Sequence, residues 1–346
     1  MQYRANPLKL DNRFLLYAFQ ERDLQGQIKA FGSGSTVEHM RVPDCEKLTL
    51  RLPPLPVQQK IASILSAYDD LIENNTRRIQ ILEEMAQMLY QERFVNFRFP
   101  GHEQAKFVES ELGPIPEGWG VKKLGDVAQD VRRSVKPETL DPETPYFGLE
   151  HLPRRSITLS DWGRAGDIAS TKLLFKRGEI LFGKIRPYFH KVGGAPLDGI
   201  CSSDTIVIQA KSSEYFPLVL ACVSSEQFVN HATQTSQGTK MPRANWKILV
   251  DCPACIPPQN LLSQFNQLIE AVVAQTQNLM FKNTAFLYLA RYTSSPMHKD
   301  LRPLFVLHWT ENRYKNLSKT RDLLLSKLIS GEIDIESFEA KAMLAA

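Results

Sequence analysis

Gly34-Ser35-Thr36 followed by Pro53-Pro54, and Gly238-Thr239-Lys240 followed by Pro257-Pro258, decide how this chain is read. The glycine-to-proline spacing is the same in both places. A long helical pattern follows each proline pair, from about Gln58 in the first and about Leu261 in the second. Each copy is therefore expected to be a strand-rich unit that ends in prolines and launches a helix. A duplicated unit of this size suggests a pseudo-two-fold molecule. Such a molecule suits a target with two halves, of which DNA is the commonest.

The chain has 346 residues, of which 43% are hydrophobic, so it can bury a sizeable core in about two domains. A net charge of +4 with a pI near 8.7 is compatible with nucleic acid but does not demand it. No apolar run is long enough to span a bilayer. Met1 to Leu10 carry Arg4, Asn6, Pro7 and Lys9, which is not the pattern of a signal peptide. Five cysteines without an export signal point to a reduced, cytoplasmic protein with no membrane partner.

Along the chain, Leu15-Leu16-Tyr17-Ala18 reads as a helix and Leu48-Thr49-Leu50 as a strand. Ile61, Ile64, Tyr68, Leu71, Leu82, Met85 and Leu89 fall at heptad spacing. Asn75 and Arg78 interrupt that seam, and Glu83, Glu84 and Arg93 lie off it. Ile180-Leu181-Phe182 and Thr205-Ile206-Val207-Ile208 read as strands, and Phe216 to Asn230 as a helix. In the second long helix Phe265, Leu268, Ile269, Val272, Val273 and Leu279 form the apolar stripe. Pro296 and Pro303 then break the register, because proline removes a backbone donor and clashes with the preceding turn. Helical character returns near Leu317.

Three motifs in order carry a family resemblance. Leu52-Pro53-Pro54-Leu55-Pro56-Val57-Gln58-Gln59-Lys60-Ile61, with Leu65-Ser66-Ala67-Tyr68-Asp69-Asp70-Leu71-Ile72-Glu73, resembles the central conserved helix of type I restriction-modification specificity subunits. Gly113-Pro114-Ile115-Pro116-Glu117-Gly118-Trp119 is similar to the opening of their second target-recognition domain. Arg321-Asp322-Leu323-Leu324-Leu325-Ser326-Lys327-Leu328-Ile329-Ser330-Gly331-Glu332-Ile333 resembles their C-terminal end.

The resemblance implies an α+β fold. A globular mixed-sheet target-recognition domain is flanked by two long helices packed as an antiparallel coiled coil. It implies a central helix at 58–99; the chain departs from the pattern in keeping only a remnant of a first recognition domain, at residues 1–57. The second recognition domain would span residues 100–257. A C-terminal helix would span 258–338; here too the chain departs from the pattern, with an insertion at about 285–313 between Phe281-Lys282-Asn283 and Tyr314-Lys315-Asn316. It also implies a non-catalytic subunit that binds double-stranded DNA and directs modification (methyltransferase) and restriction (nuclease and translocase) subunits. S-adenosylmethionine, ATP and magnesium would sit on those partners, and none on this chain. With one complete recognition domain, the chain is expected to read a half-site. The remnant is expected to expose Phe14, Leu16 and Phe19. The alternatives are a scaffold that assembles methyltransferase subunits without productive DNA recognition, and a fused methyltransferase. The latter is opposed by the lack of a glycine-rich cofactor loop and of an Asn-Pro-Pro-aromatic motif.

The candidate DNA face lies in the second recognition domain. Between Lys122 and Lys247 there are 18 Lys/Arg against 13 Asp/Glu, an excess of five. It is clustered at Arg132-Arg133, Arg154-Arg155, Lys184 to Lys191, and Lys240 with Arg243. Lys and Arg neutralise phosphates, and Arg forks onto guanine edges. The Lys184–Lys191 run follows a strand, carries Tyr188 among its aromatics and turns at Pro187, as a loop held out from a sheet would. In Ser236-Gln237-Gly238-Thr239-Lys240 glycine permits close backbone approach and Gln237 has the geometry to bond adenine twice. The same stretch also fits an ordinary turn, and each charge cluster also fits a solvated surface. The proposed DNA-binding residues are Arg154, Arg155, Lys184, Arg186, Tyr188, Lys191, Gln237, Lys240 and Arg243, with no catalytic or metal-binding residue. Cys252 and Cys255 have Cys-x-x-Cys spacing but no second pair to complete a zinc site. Asp69 and Asp70, near Glu73, are adjacent in sequence and so do not share a helix face, which favours a solvated or docking surface over a metal.

Overall fold

The computed structural model describes residues 6–31 and 40–292. The chain divides into two compact units, Met1–Asn75 with Phe281–Ala346, and Thr76–Met280.

The first unit is helical where it is described. It holds α1 (Asn12–Ala18), α2 (Arg22–Phe31), α3 (Val42–Cys45) and the start of α4 (Leu55–Tyr90). Asp11 caps α1, its Oδ1 accepting from the amides of Arg13 and Phe14 at 2.9 Å. Phe14, Tyr17 and Ala18 pack on Ile61, Ala62 and Leu65. Tyr17 Oη donates to Asp69 Oδ2 at 2.7 Å. Gln58 is buried beneath this layer. Its Oε1 accepts from the Asp11 amide, and its Nε2 donates to the carbonyls of Lys9 and Pro53. Two expectations are corrected. Leu48-Thr49-Leu50 is irregular rather than a strand, because an isolated triplet with no strand beside it among the described residues has no ladder to join. Phe14 is fully buried rather than exposed, since α1 lays it on α4; Leu16 does face solvent.

The second unit is built around two sheets. Its elements run from β1 (Phe107–Ser110), β2 (Gly113–Pro116) and β3 (Gly120–Lys123) to α5 (Leu124–Val127), β4 (Ala128–Asp130), β5 (Arg133–Val135), β6 (Pro145–Phe147) and β7 (Gly163–Arg164). They continue through β8 (Lys172–Phe175), β9 (Ile180–Gly183), β10 (Val192–Gly194), β11 (Gly199–Cys201) and β12 (Thr205–Ala210). Then follow α6 (Phe216–Val223), α7 (Glu226–Gln234), α8 (Trp246–Leu249), β13 (Pro253–Ile256) and α9 (Gln259–Tyr292). One sheet has the order β10-β9-β12-β4 and the other β5-β8-β11-β6-β7, in which only β11 and β6 pair in parallel.

The apolar runs of β9 and β12 have a structural cause. Ile180, Phe182, Ile206 and Ile208 point into the core shared with α6 and α7, where Phe182 meets Phe228 edge to face at 5.7 Å. Leu181 and Val207 point the other way, into a second core with Phe147, Trp162 and Phe175. Both faces are covered, so alternation by residue leaves no polar face to these strands. The expected helix over Phe216 to Asn230 is two helices, broken at Ser224-Ser225, where the Ser225 hydroxyl caps α7.

Within this unit α4 and α9 pack together. Ala86 and Tyr90, with Phe94 in the π-helical turn Gln91–Val95, share a core with Leu262, Phe265 and Ile269. Phe94 meets Phe265 at 4.6 Å and Trp119 at 5.5 Å, both edge to face. The heptad register needs correction. Buried positions here are Ile79, Glu83, Ala86 and Tyr90, one residue on from the expected stripe, and Met85 is 52% exposed. Glu83 was expected off the seam; it is buried because Ser156, Ile157 and Thr158 supply it with donors. The α9 helix continues through residues 285–292 to Tyr292, past the expected start of the insertion. Pro296, Pro303, the return at Leu317, His298 and His308 lie outside the described residues, as do Gly34-Ser35-Thr36.

The internal repeat extends further than the glycine and proline pattern. A constant offset of 204 (216 − 12) carries α1 onto α6, α2 onto α7 and α3 onto α8. It carries Pro54, which accepts from the amides of Val57 and Gln58, onto Pro258, which accepts from those of Leu261 and Leu262. It carries buried Ile61 and Leu65 onto buried Phe265 and Ile269. The repeated element is thus helix–helix–short helix–proline pair–long helix, not a strand-rich unit.

Candidate nucleic-acid interface

The chain leaves β9 at Gly183 and returns in β10 at Val192, and the loop between them is tied down on both sides. Lys184 donates its amide to the Asp204 carbonyl at 3.0 Å, and its own carbonyl accepts from Ala244 at 2.8 Å. The Arg186 amide donates to the Pro242 carbonyl at 2.7 Å. The segment after α7 reaches this loop because it folds back on itself. Gln237 and Arg243 exchange backbone hydrogen bonds at 3.0 and 2.9 Å. Gly238 makes this turn with φ of 100°, a conformation that other residues adopt only under strain. A third loop joins them through Arg155, whose amide donates to the His190 carbonyl at 2.9 Å.

The nine residues expected at the DNA face therefore come from three loops that meet. Arg154 lies over the Phe189 ring at 4.1 Å and Arg186 approaches the same ring at 6.0 Å. Tyr188 packs edge to face on Phe189 at 4.8 Å and stays 49% exposed. Gln237, Lys240 and Arg243 are exposed on the neighbouring turn, with Met241 between them. Lys191 is the most withdrawn. Its Nζ donates to the Leu149 carbonyl, and burial, with Arg154 nearby, pulls its ammonium below the usual lysine value. Arg132 pairs with Asp130, and Arg133 with the buried Glu179.

Backbone strain is concentrated here. Among the described residues the non-glycine positions with positive φ are Phe97, Arg155, Arg186 and His190, so three of the four belong to these loops. Each left-handed residue of this kind costs on the order of 1–3 kcal/mol and persists only where its surroundings hold it. His190 is held by burial and by its Nε2, which is 2.8 Å from the Ser224 carbonyl.

Sequence reasoning missed two carboxylates. Asp204 Oδ1 lies 3.8 Å from Lys184 Nζ and 3.5 Å from Arg243 Nε. Glu226 Oε1 pairs with Arg155 Nη1 and lies 3.6 Å from His190 Nδ1. Neither acid sits in a motif; each is brought to the basic loops only by tertiary folding. Among the described residues no group of His, Cys, Asp and Glu is placed to hold a metal, and no helix is long and apolar enough to cross a membrane. Cys252 is a buried free thiol, which burial pushes up to about 12, and Cys255 is half-buried.

Residues 1–84 match the family described as the type I restriction modification DNA specificity domain. Two curated relatives align over most of the chain. The MjaIX specificity subunit of Methanocaldococcus jannaschii is 24% identical over 94% of this chain and 70% of its own length. The EcoDI specificity subunit of Escherichia coli is 25% identical over 89% and 73%. The crystal structure of a type I restriction-modification S subunit from M. genitalium superposes with a TM-score of 0.53. It covers 93% of this chain and 74% of that one at 16% identity, a likeness of fold.

Proposed function

We propose that this chain, which belongs to the specificity subunits of type I restriction-modification systems, reads DNA through the three converging loops of its second unit. It is the non-catalytic recognition subunit. The observation that carries the assignment of the face is the convergence itself: Arg154, Arg186, Tyr188, Gln237, Lys240 and Arg243 come from distant stretches onto one surface. Two of the loops that carry them hold strained residues, Arg155 in one and Arg186 with His190 in the other. Lys240, Arg154 and Arg186 contact phosphates or guanine edges, and Gln237 pairs with an adenine edge.

Partner subunits supply the chemistry. Modification and restriction subunits carry S-adenosylmethionine, ATP and magnesium, and this chain positions them on the site. The exposed Ile81, Met85 and Met88 of α4 recur at four- and three-residue spacing, and so share a helix face; they support a part for that helix in assembly. The test is DNA affinity against salt for Lys240→Ala, Arg186→Ala and Arg154→Ala. Each lost phosphate contact is expected to flatten the salt slope by about one. Unchanged slopes in all three would remove the assignment of this face and favour the scaffold reading.

A further inference from the structure

Three cations of the candidate face, Lys184, Arg243 and Arg155, lie against carboxylates. Asp204 shares one carboxylate oxygen between Lys184 and Arg243, which come from two different loops. Glu226, at the start of α7, shares one oxygen between Arg155 and His190. Lys240 has no carboxylate partner among the described residues. Both acids are partly exposed, with side-chain exposures of 32% and 52%, so an approaching phosphate competes with them directly.

We propose that Asp204 and Glu226 hold Lys184, Arg243 and Arg155 of the DNA face in internal ion pairs and so discount its attraction for any phosphate backbone. This rests on the reading of the face given above. The physical argument is competitive. Sequence-independent binding is driven by release of counterions from phosphates that protein cations neutralise. A cation already neutralised by a carboxylate releases fewer of them. Random duplex therefore sees mainly Lys240, Arg154 and Arg186. A matched sequence adds base contacts, and those contacts bring the backbone close enough for phosphates to displace the acids. The acids thus lower the affinity of the face for random duplex, and a matched site must supply base contacts before its phosphates displace them. Asp204 also links the Lys184 loop to the Arg243 turn, so it positions both.

The test uses the full chain and a random-sequence duplex, with affinity measured across a salt series. Asp204→Asn is expected to bind that duplex about three- to tenfold more tightly at low salt, with a slope steeper by about one to two. Glu226→Gln is expected to steepen it by about one through the freed Arg155. Adding Lys184→Ala to Asp204→Asn is expected to give back about one of the gained slope. Unfolding curves check that the variants fold, and Glu226→Gln decides if Asp204→Asn does not. An unmoved slope in both carboxylate variants, or weaker binding of the random duplex by them, would overturn the proposal. A wild-type chain with no salt-dependent binding would instead remove the DNA reading of the face, and this inference with it.

Discussion

Glu83 shows how one residue was hidden from the sequence. A glutamate between Leu82 and Met85 reads as the solvent side of a helix, yet its Oε1 accepts from Ser156 Oγ at 2.8 Å and from the amides of Ile157 and Thr158 at 3.0 and 2.8 Å. Those donors are more than seventy residues away, so no local pattern announces them. Burial raises the Glu83 carboxyl above its ordinary value of 4.5, against the pull of the hydrogen bonds. A raised folded value means the folded state holds the proton more tightly. The resulting stability is complete below the ordinary value and is lost as pH rises through the folded one. Glu83→Gln keeps an oxygen for all three donors and does not ionise. Its stability is expected to match wild type at acidic pH near the ordinary carboxylate value and to exceed it at neutral pH. Glu83→Ala leaves buried donors unpaired and is expected to cost about 1–3 kcal/mol at either pH. Urea unfolding at the two pH values separates them; a Gln variant less stable than wild type at neutral pH would contradict this account.

At the scale of elements, much was legible. The strands β9 and β12, the two long helices and the second Pro-Pro launch were all readable, because hydrophobic runs and proline rules act locally. The helical register was not. Leu82, Met85 and Leu89 are apolar and at heptad spacing, but the face that packs is Ile79, Glu83, Ala86 and Tyr90. Periodicity finds a stripe; which stripe faces inward depends on what the neighbour offers. Here the neighbour offers hydrogen-bond donors to Glu83 and aromatic rings beyond it. The helix end is fastened by such rings, with Phe94 between Trp119 and Phe265 and with Phe97 and Phe99 each 5.4 Å from Trp119. Phe94→Ala is expected to destabilise the second unit by about 3–5 kcal/mol through lost burial and a cavity that edge-to-face neighbours do not fill. Chemical denaturation followed by tryptophan fluorescence measures it, and a loss below about 1 kcal/mol would mean that the turn relaxes into the gap.

For the whole molecule, the candidate face was legible as residue types but not as a surface. Arg154, Lys184 and Lys240 are separated by dozens of residues, and only strand order brings β9, β12 and the turn after α7 together. The repeat was legible as a spacing, yet its content differs from expectation. The helices recur at the offset of 204, whereas the described sheets of residues 107–210 belong to the second copy alone. One set of the candidate loops therefore stands among the described residues. In addition, α4 and α9 already bury one another within the second unit, so these faces do not call for a second chain. Two chains on a dyad would impose an inverted repeat on the target, because the symmetry of the protein is carried over to the site. A single reading surface imposes none. Co-expression with a modification subunit, followed by mapping of methylated adenines, is expected to place one asymmetric sequence element against this face. Lys240→Ala is expected to lower modification at every site alike, since a phosphate contact carries no sequence information, and Gln237→Ala to relax the choice of base at one position. Strong methylation of a palindromic site in two parts would show instead that two chains assemble, each contributing one copy of this face.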